Sequence, residues 1–99
     1  MIVAICGDRR WSDAALIWAA LRDVGATGVA LLDAGGACRT ASAVAEAMGL
    51  PLAPPADARR VVAFHDYIDN STVTRAALAD AKSRGRGVSL YSHLGIEEF

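Results

Sequence analysis

Two short stretches of the chain carry residue types suited to holding an anion. Directly after an apolar run come Gly7, Asp8, Arg9, Arg10, Trp11 and, after a serine, Asp13. A guanidinium in such a place can grip a phosphate with its forked donors, and Trp11 offers a face on which a base could stack or a corner could pack. Farther along, Asn70, Ser71, Thr72 and Thr74 set amide and hydroxyl groups at the start of a helical pattern, where they can donate to an anion or cap the helix. Between these stretches, Gly35 and Gly36 let a ligand or a neighbouring backbone come close to another helix start. Gly7, Asp8, Arg9, Trp11, Gly35, Gly36, Asn70, Ser71, Thr72 and Thr74 are therefore the candidate ligand-binding residues.

Other reactive types point away from catalysis. His65 and Asp66 could pair for acid–base work, but neighbours in an extended loop point apart and no third group is evident, so no catalytic residue is assigned. His93 lies past the last strand, and nothing in the sequence singles it out. Cys6 and Cys38 sit in apolar surroundings without a CxxC spacing or a nearby histidine pair, which predicts buried, reduced thiols and no metal site. No cofactor is implied.

The elements that must position these groups alternate. Residues 2–6 (IVAIC) form a short apolar run that stops at Gly7, and Ser12 or Asp13 can cap a helix to about Val24 with Ala15, Ile17, Trp18, Leu21 and Val24 on a broad apolar face. A second apolar run, residues 28–32 (GVALL), ends at Asp33, and beyond Gly35 and Gly36 the spacing of Ala41, Ala45 and Met48 predicts a helix closed by Gly49. Residues 50–53 make at most a brief third strand, because Pro51, Pro54 and Pro55 forbid regular structure around them. Residues 60–64 (RVVAF) form the next strand, a helix follows to about Arg84 with Val73, Ala77, Leu78 and Ala81 inward, and residues 88–91 end the series. Residues 92–99 are too short to assign. Continuous rather than alternating apolar runs are the mark of buried parallel strands. The order β-α-β-α-(β)-β-α-β therefore predicts a three-layer, doubly wound α/β sheet, in which the loops after strands one, two and four converge at one edge.

Composition bounds the rest. A chain of 99 residues, 54% hydrophobic but only 6% aromatic, suits a single domain across residues 1–99 with a core of Ala, Val, Leu and Ile. Alanine buries little apolar surface, so association into a homodimer through exposed apolar helix faces would add stability. A net charge of -1 gives no general field for nucleic acid, and no apolar run is long enough for a bilayer; a cytosolic location is expected. Lys82 is the single lysine, so nearly every basic group is arginine.

Gly7, Arg9, Trp11 and Asp13 also match a GxRxWxD opening, and with it the chain resembles the small, YspA-like members of the SLOG superfamily. These are Rossmann-like relatives of the LOG phosphoribohydrolases and of the DNA-processing protein DprA. The likeness runs over roughly residues 1–89. Ala34, Gly36 and Ala37 resemble an ARGAD turn with Gly35 and Cys38 in place of its arginine and aspartate. Residues 61–64 resemble a VIAF strand, and Ser71 with Thr74 an SxGT element in which Val73 replaces the glycine. The resemblance implies a Rossmann-like, mainly parallel sheet of four to five strands that binds a nucleotide or nucleotide-derived metabolite by its sugar and phosphate. Two departures bear on activity. The Lys and Arg-Asn segment before the fourth strand is missing, and the acid that a phosphoribohydrolase carries soon after Thr74 is replaced by Ala76 and Ala77, with Asp80 a turn too late. A binding module is thus the first expectation, an N-glycosidic hydrolase the second, and a ligand-free interaction protein the third.

Overall fold

The computed structural model describes residues 1–67 and 72–98. Its elements are β1 (Ile2–Gly7), α1 (Ala14–Asp23), β2 (Gly28–Leu31), α2 (Gly36–Met48), a 3-10 turn (Pro55–Asp57), β3 (Arg60–Phe64), α3 (Thr72–Ser83), β4 (Gly87–Ser92) and β5 (Gly95–Glu98). The strands make one sheet in the order β2-β1-β3-β4-β5. Neighbours from β2 to β4 run parallel, and β5 returns antiparallel along β4. This is a three-layer, Rossmann-like α/β fold.

Side-chain size decides how the layers sit. Successive strand residues point to opposite faces, so Val3, Ile5, Val29, Val62 and Phe64 join α1 and α2 in one core, while Ala4, Cys6, Ala30, Val61 and Ala63 meet α3 in the other. The first face carries the larger side chains, including Phe64, which packs tilted against Trp11 and Tyr91 at 5.7 and 5.6 Å between ring centroids. The α3 face is mostly alanine, and small residues let a helix lie close to a sheet. In α1 the core-facing positions are Ile17, Ala20 and Leu21, with Val24 half-buried behind them. Ala15 is exposed and Trp18 is 39% exposed, so the inward stripe is narrower than the sequence suggests. The cause is the 3.6-residue period, which brings Ala20 rather than Trp18 onto the line of Ile17, Leu21 and Val24.

One expected strand is absent, and one unassigned segment is a strand. Residues 50–53 do not form a strand; Leu52 makes an isolated parallel bridge to Val29 and is 59% exposed. Prolines on either side leave few ladder donors, and the bonds that remain are Val29 N–H to the Pro51 carbonyl and Ala53 N–H to the Val29 carbonyl. The tail, in contrast, is ordered into an edge strand. Arg60 reaches across from β3 to donate to Ser89 Oγ at 2.6 Å and to Glu98 Oε2 at 2.9 Å, and Ser89 itself donates to Glu98, which ties β5 to the sheet. Among the described residues no helix is long and apolar enough to cross a membrane.

Candidate functional site at the carboxyl edge of the sheet

Strand order reverses between β1 and β3, which places the crevice of an open α/β sheet above their carboxyl ends. The ladder runs one residue past the strands there, where the Asp8 N–H donates to the Phe64 carbonyl at 2.8 Å. Gly7 makes this contact possible. Its φ is +150°, and a Cβ would lie 2.8 Å from the Phe64 nitrogen and closer still to the Phe64 oxygen. The loop beyond β1 then folds over the start of α2. Gly36 N–H donates to the Arg9 carbonyl at 2.9 Å and Ala37 N–H to the Asp8 carbonyl at 3.1 Å. The space beside Gly35 and Gly36 is thus filled by the backbone of Arg9 and the carbonyl of Trp11, and two of the first donors of α2 are already satisfied.

Four aspartates line this edge, and each accepts an N–H from its own loop or from a neighbouring one. Asp8 Oδ1 takes Arg10 N–H at 2.9 Å, Asp13 Oδ1 takes Leu16 N–H at 3.1 Å, Asp33 Oδ1 takes Gly35 N–H at 2.7 Å, and Asp66 Oδ1 takes His93 N–H at 2.7 Å. Asp13, rather than Ser12, is the N-cap of α1. Arg9 and Arg10 are both exposed, and their guanidinium groups have no hydrogen-bond or ion-pair partner among the described residues. The pairing of an arginine side chain with Asp8 or Asp13 that the sequence allows does not form.

His93 is the residue that the sequence did not reveal. The β4–β5 turn carries it back over the edge, where Nδ1 meets Asp66 Oδ2 at 2.7 Å and Nε2 meets Asp13 Oδ2 at 2.9 Å. Its ring lies flat against Trp11, with centroids 4.6 Å apart and planes 16° from parallel. Hydrogen bonds that its ring donates to Asp66 and then to Asp13 raise its pKa above the ordinary 6.5. In return both carboxyls are held below the usual aspartate range, Asp13 chiefly by the Leu16 N–H and then His93, Asp66 chiefly by the His93 N–H and then its ring. With a carboxylate oxygen on each ring nitrogen, His93 fastens three loops together and leaves neither nitrogen open to a substrate proton. A positional signal existed: His93, like Asp8 and His65, is the first residue beyond a parallel strand, and such residues face the crevice.

The remaining candidates fall into place around this fastening. His65 is 7% exposed; its Nδ1 accepts the Tyr67 N–H at 2.9 Å, which leaves the proton on Nε2, facing Asp8 Oδ2 at 4.0 Å. As expected, His65 and its neighbour Asp66 turn to different partners. Trp11 is only 5% exposed and belongs to the core, its indole N–H donating to the Asp13 carbonyl, so the face that a base could use is occupied by His93. Thr72 is exposed at the first residue of α3, whereas Thr74, at 2% exposed, is turned inward. Asn70 and Ser71 lie outside the described residues. Both cysteines are free and buried, and burial pushes Cys6 up to about 12 and Cys38 up to about 11, far from a reactive thiolate. No cluster of His, Cys, Asp and Glu among the described residues could hold a metal ion.

The edge therefore combines two exposed guanidinium groups, a set of carboxylates committed to loop geometry, and a Trp11–His93 wall. Compared with known proteins, the chain matches no family model, no curated protein and no solved structure.

Proposed function

We propose that the protein binds a nucleotide or nucleotide-derived metabolite, through its sugar and phosphate, at the carboxyl edge of the parallel strands. The observation that carries this reading is the placement of Arg9. Its guanidinium is exposed and without a partner among the described residues, on a loop pinned to the β1–β3 reversal by Asp8 and to α2 by Gly36. A rigidly mounted arginine at such a point is suited to a phosphate. The Thr72 hydroxyl, exposed at the start of α3, is suited to a second phosphate oxygen. The resemblance of the GxRxWxD stretch to the SLOG superfamily supports the same reading.

Catalysis is not part of the proposal. Asp80, the acid nearest after Thr74, is exposed and paired with Arg84 Nε at 3.0 Å near the opposite end of α3. A second reading, an interaction protein without a ligand, draws on the filled glycine cradle at Gly36. Isothermal calorimetry with nucleoside monophosphates, ADP-ribose, NAD and cyclic nucleotides separates the two. Binding that is weakened about tenfold or more by Arg9→Ala supports the first; no heat from any of them at millimolar concentration leaves the second. Release of free base from a nucleoside monophosphate, lost in Arg9→Ala, would instead establish a hydrolase.

A further inference from the structure

A second group of arginines sits at the other end of the molecule. Ala56, Asp57, Ala58 and Arg59 face Arg84, Gly85 and Arg86 across an open depression of about 510 Å³. The first segment contains the 3-10 turn and leads into β3; the second is the turn from α3 into β4. Their spacing is fixed by backbone bonds at the amino end of the sheet. Arg59 N–H donates to the Ile2 carbonyl at 3.0 Å, Gly87 N–H to the Arg59 carbonyl at 3.2 Å, and Arg86 N–H to the Ala81 carbonyl at 3.0 Å. Arginines on two elements are thus held on opposite sides of one depression by the fold itself.

Their side chains are available. Those of Arg59 and Arg86 have no hydrogen bond or ion pair among the described residues. Arg84 uses Nε on Asp80, which leaves its two terminal nitrogens without a partner among the described residues. Helix ends attract cations, and that accounts for Arg84 and Arg86 after α3. It does not account for Arg59, which precedes a strand. A chain of net charge -1 that gathers three guanidinium groups around one depression concentrates positive potential locally.

We propose that this depression binds the pyrophosphate or longer polyphosphate group of a small molecule, at a site separate from the carboxyl edge. The rest of the lining decides the class. Ala56, Ala58 and Gly85 offer no aromatic or broad apolar surface for a base, so recognition runs through charge and the forked geometry of guanidinium on phosphate oxygens. The small side chains also leave room for all three arginines to converge. Asp57 is the opposing element: a carboxylate in the lining repels a phosphate and sets the affinity below what the arginines alone would give.

Titration with inorganic tripolyphosphate at low ionic strength, followed by calorimetry and amide chemical shifts, tests this, with citrate as the carboxylate arm. The expected result is saturable binding with shifts at Gly85 and Arg86, stronger for tripolyphosphate than for citrate. Arg59→Ala with Arg86→Ala should weaken the binding read at Gly85 about tenfold or more, and Arg22→Ala, in the last turn of α1, should leave it unchanged. Asp57→Asn should tighten it several-fold, a gain that cannot come from misfolding. Binding that depends on Arg9 but not on Arg59 and Arg86, the absence of saturation, equal affinity for citrate, or no effect of Asp57→Asn would each overturn the proposal.

Discussion

Alanine in place of Gly36 separates two roles of a helix-opening glycine. Gly36 is the first residue of α2, and on helix propensity alone alanine would gain up to about 1 kcal/mol. Geometry opposes this. A Cβ would lie 2.7 Å from the Arg9 carbonyl carbon and 2.9 Å from the Trp11 oxygen, and nearer still to the Arg9 oxygen. These are backbone atoms of a loop held by Asp8 and by the Trp11–His93 stack, so no side chain can swing aside. The methyl group can fit only if loop and helix part, which stretches the bonds from Gly36 and Ala37 to the Arg9 and Asp8 carbonyls. Overpacking of this kind costs about 1–3 kcal/mol and each of the two weakened bonds about 1 kcal/mol, so after a propensity gain of up to about 1 kcal/mol the net loss is about 2–5 kcal/mol. For a domain of this size that corresponds to a fall in Tm on the order of 10 °C. Gly49→Ala is the control. Its φ of +73° is strained for alanine, but nothing lies within 4 Å, so it should cost about 1 kcal/mol. Thermal melts followed by circular dichroism decide between the roles. A Gly36→Ala protein that melts at or above the wild type would refute the packing argument, because propensity would then be the only effect at work.

Three further outcomes follow from the carboxyl edge and the core. The raised pKa of His93 means that its contribution to stability is complete below the ordinary 6.5 and is lost as pH rises through the folded value, whereas the lowered pKa values of Asp13 and Asp66 mean that theirs is lost as pH falls through those values. The difference in urea midpoint between wild type and His93→Gln should therefore be largest near about pH 5.5 and shrink as the solution is made alkaline; a difference that grows with pH would reverse the assigned charge state. In a Trp18→Phe background, Trp11 fluorescence should rise with pH along a single titration, displaced above the ordinary 6.5, as the stacked ring loses its proton, and the step should vanish in His93→Gln. Phe64→Ala, which empties a fully buried ring site between Trp11 and Tyr91, should cost about 3–5 kcal/mol in urea denaturation. A loss below 1 kcal/mol there would mean that the large-side-chain face is not the main core.

Much of the fold was legible because its signals are local. The runs at residues 2–6, 28–32 and 60–64 are apolar on both faces, and only a sheet covered by helices on both sides accommodates that. Gly49 closes α2 at a φ of +73°, as a glycine placed after a helical pattern predicts. The tail was not legible, because its strand is held by Arg60 and Ser89, residues distant in sequence whose side chains meet Glu98 only once β3 and β4 are side by side. Residues 50–53 were ambiguous for the opposite reason: their apolar residues suit a strand, but the prolines beside them leave bonds enough for one bridge.

The candidate site divides in the same way. Its place, at the loops after the parallel strands, was set by the order of apolar runs and glycines, since the chain's alternation of strand and helix fixes which loops share an edge. The roles of the residues there depended on tertiary contacts. Residue type put Arg9 and Trp11 both among the candidates, with corner packing the expected role of the Trp, and the folded chain leaves Arg9 exposed and turns Trp11 into the core beneath His93. For His93 the sequence offers only its position just past a strand, because its two carboxylate partners lie 27 and 80 residues away in the chain. Hydrophobic patterning acts between near neighbours and is written in the sequence; ion pairs and stacked rings need the folded chain to bring their members together.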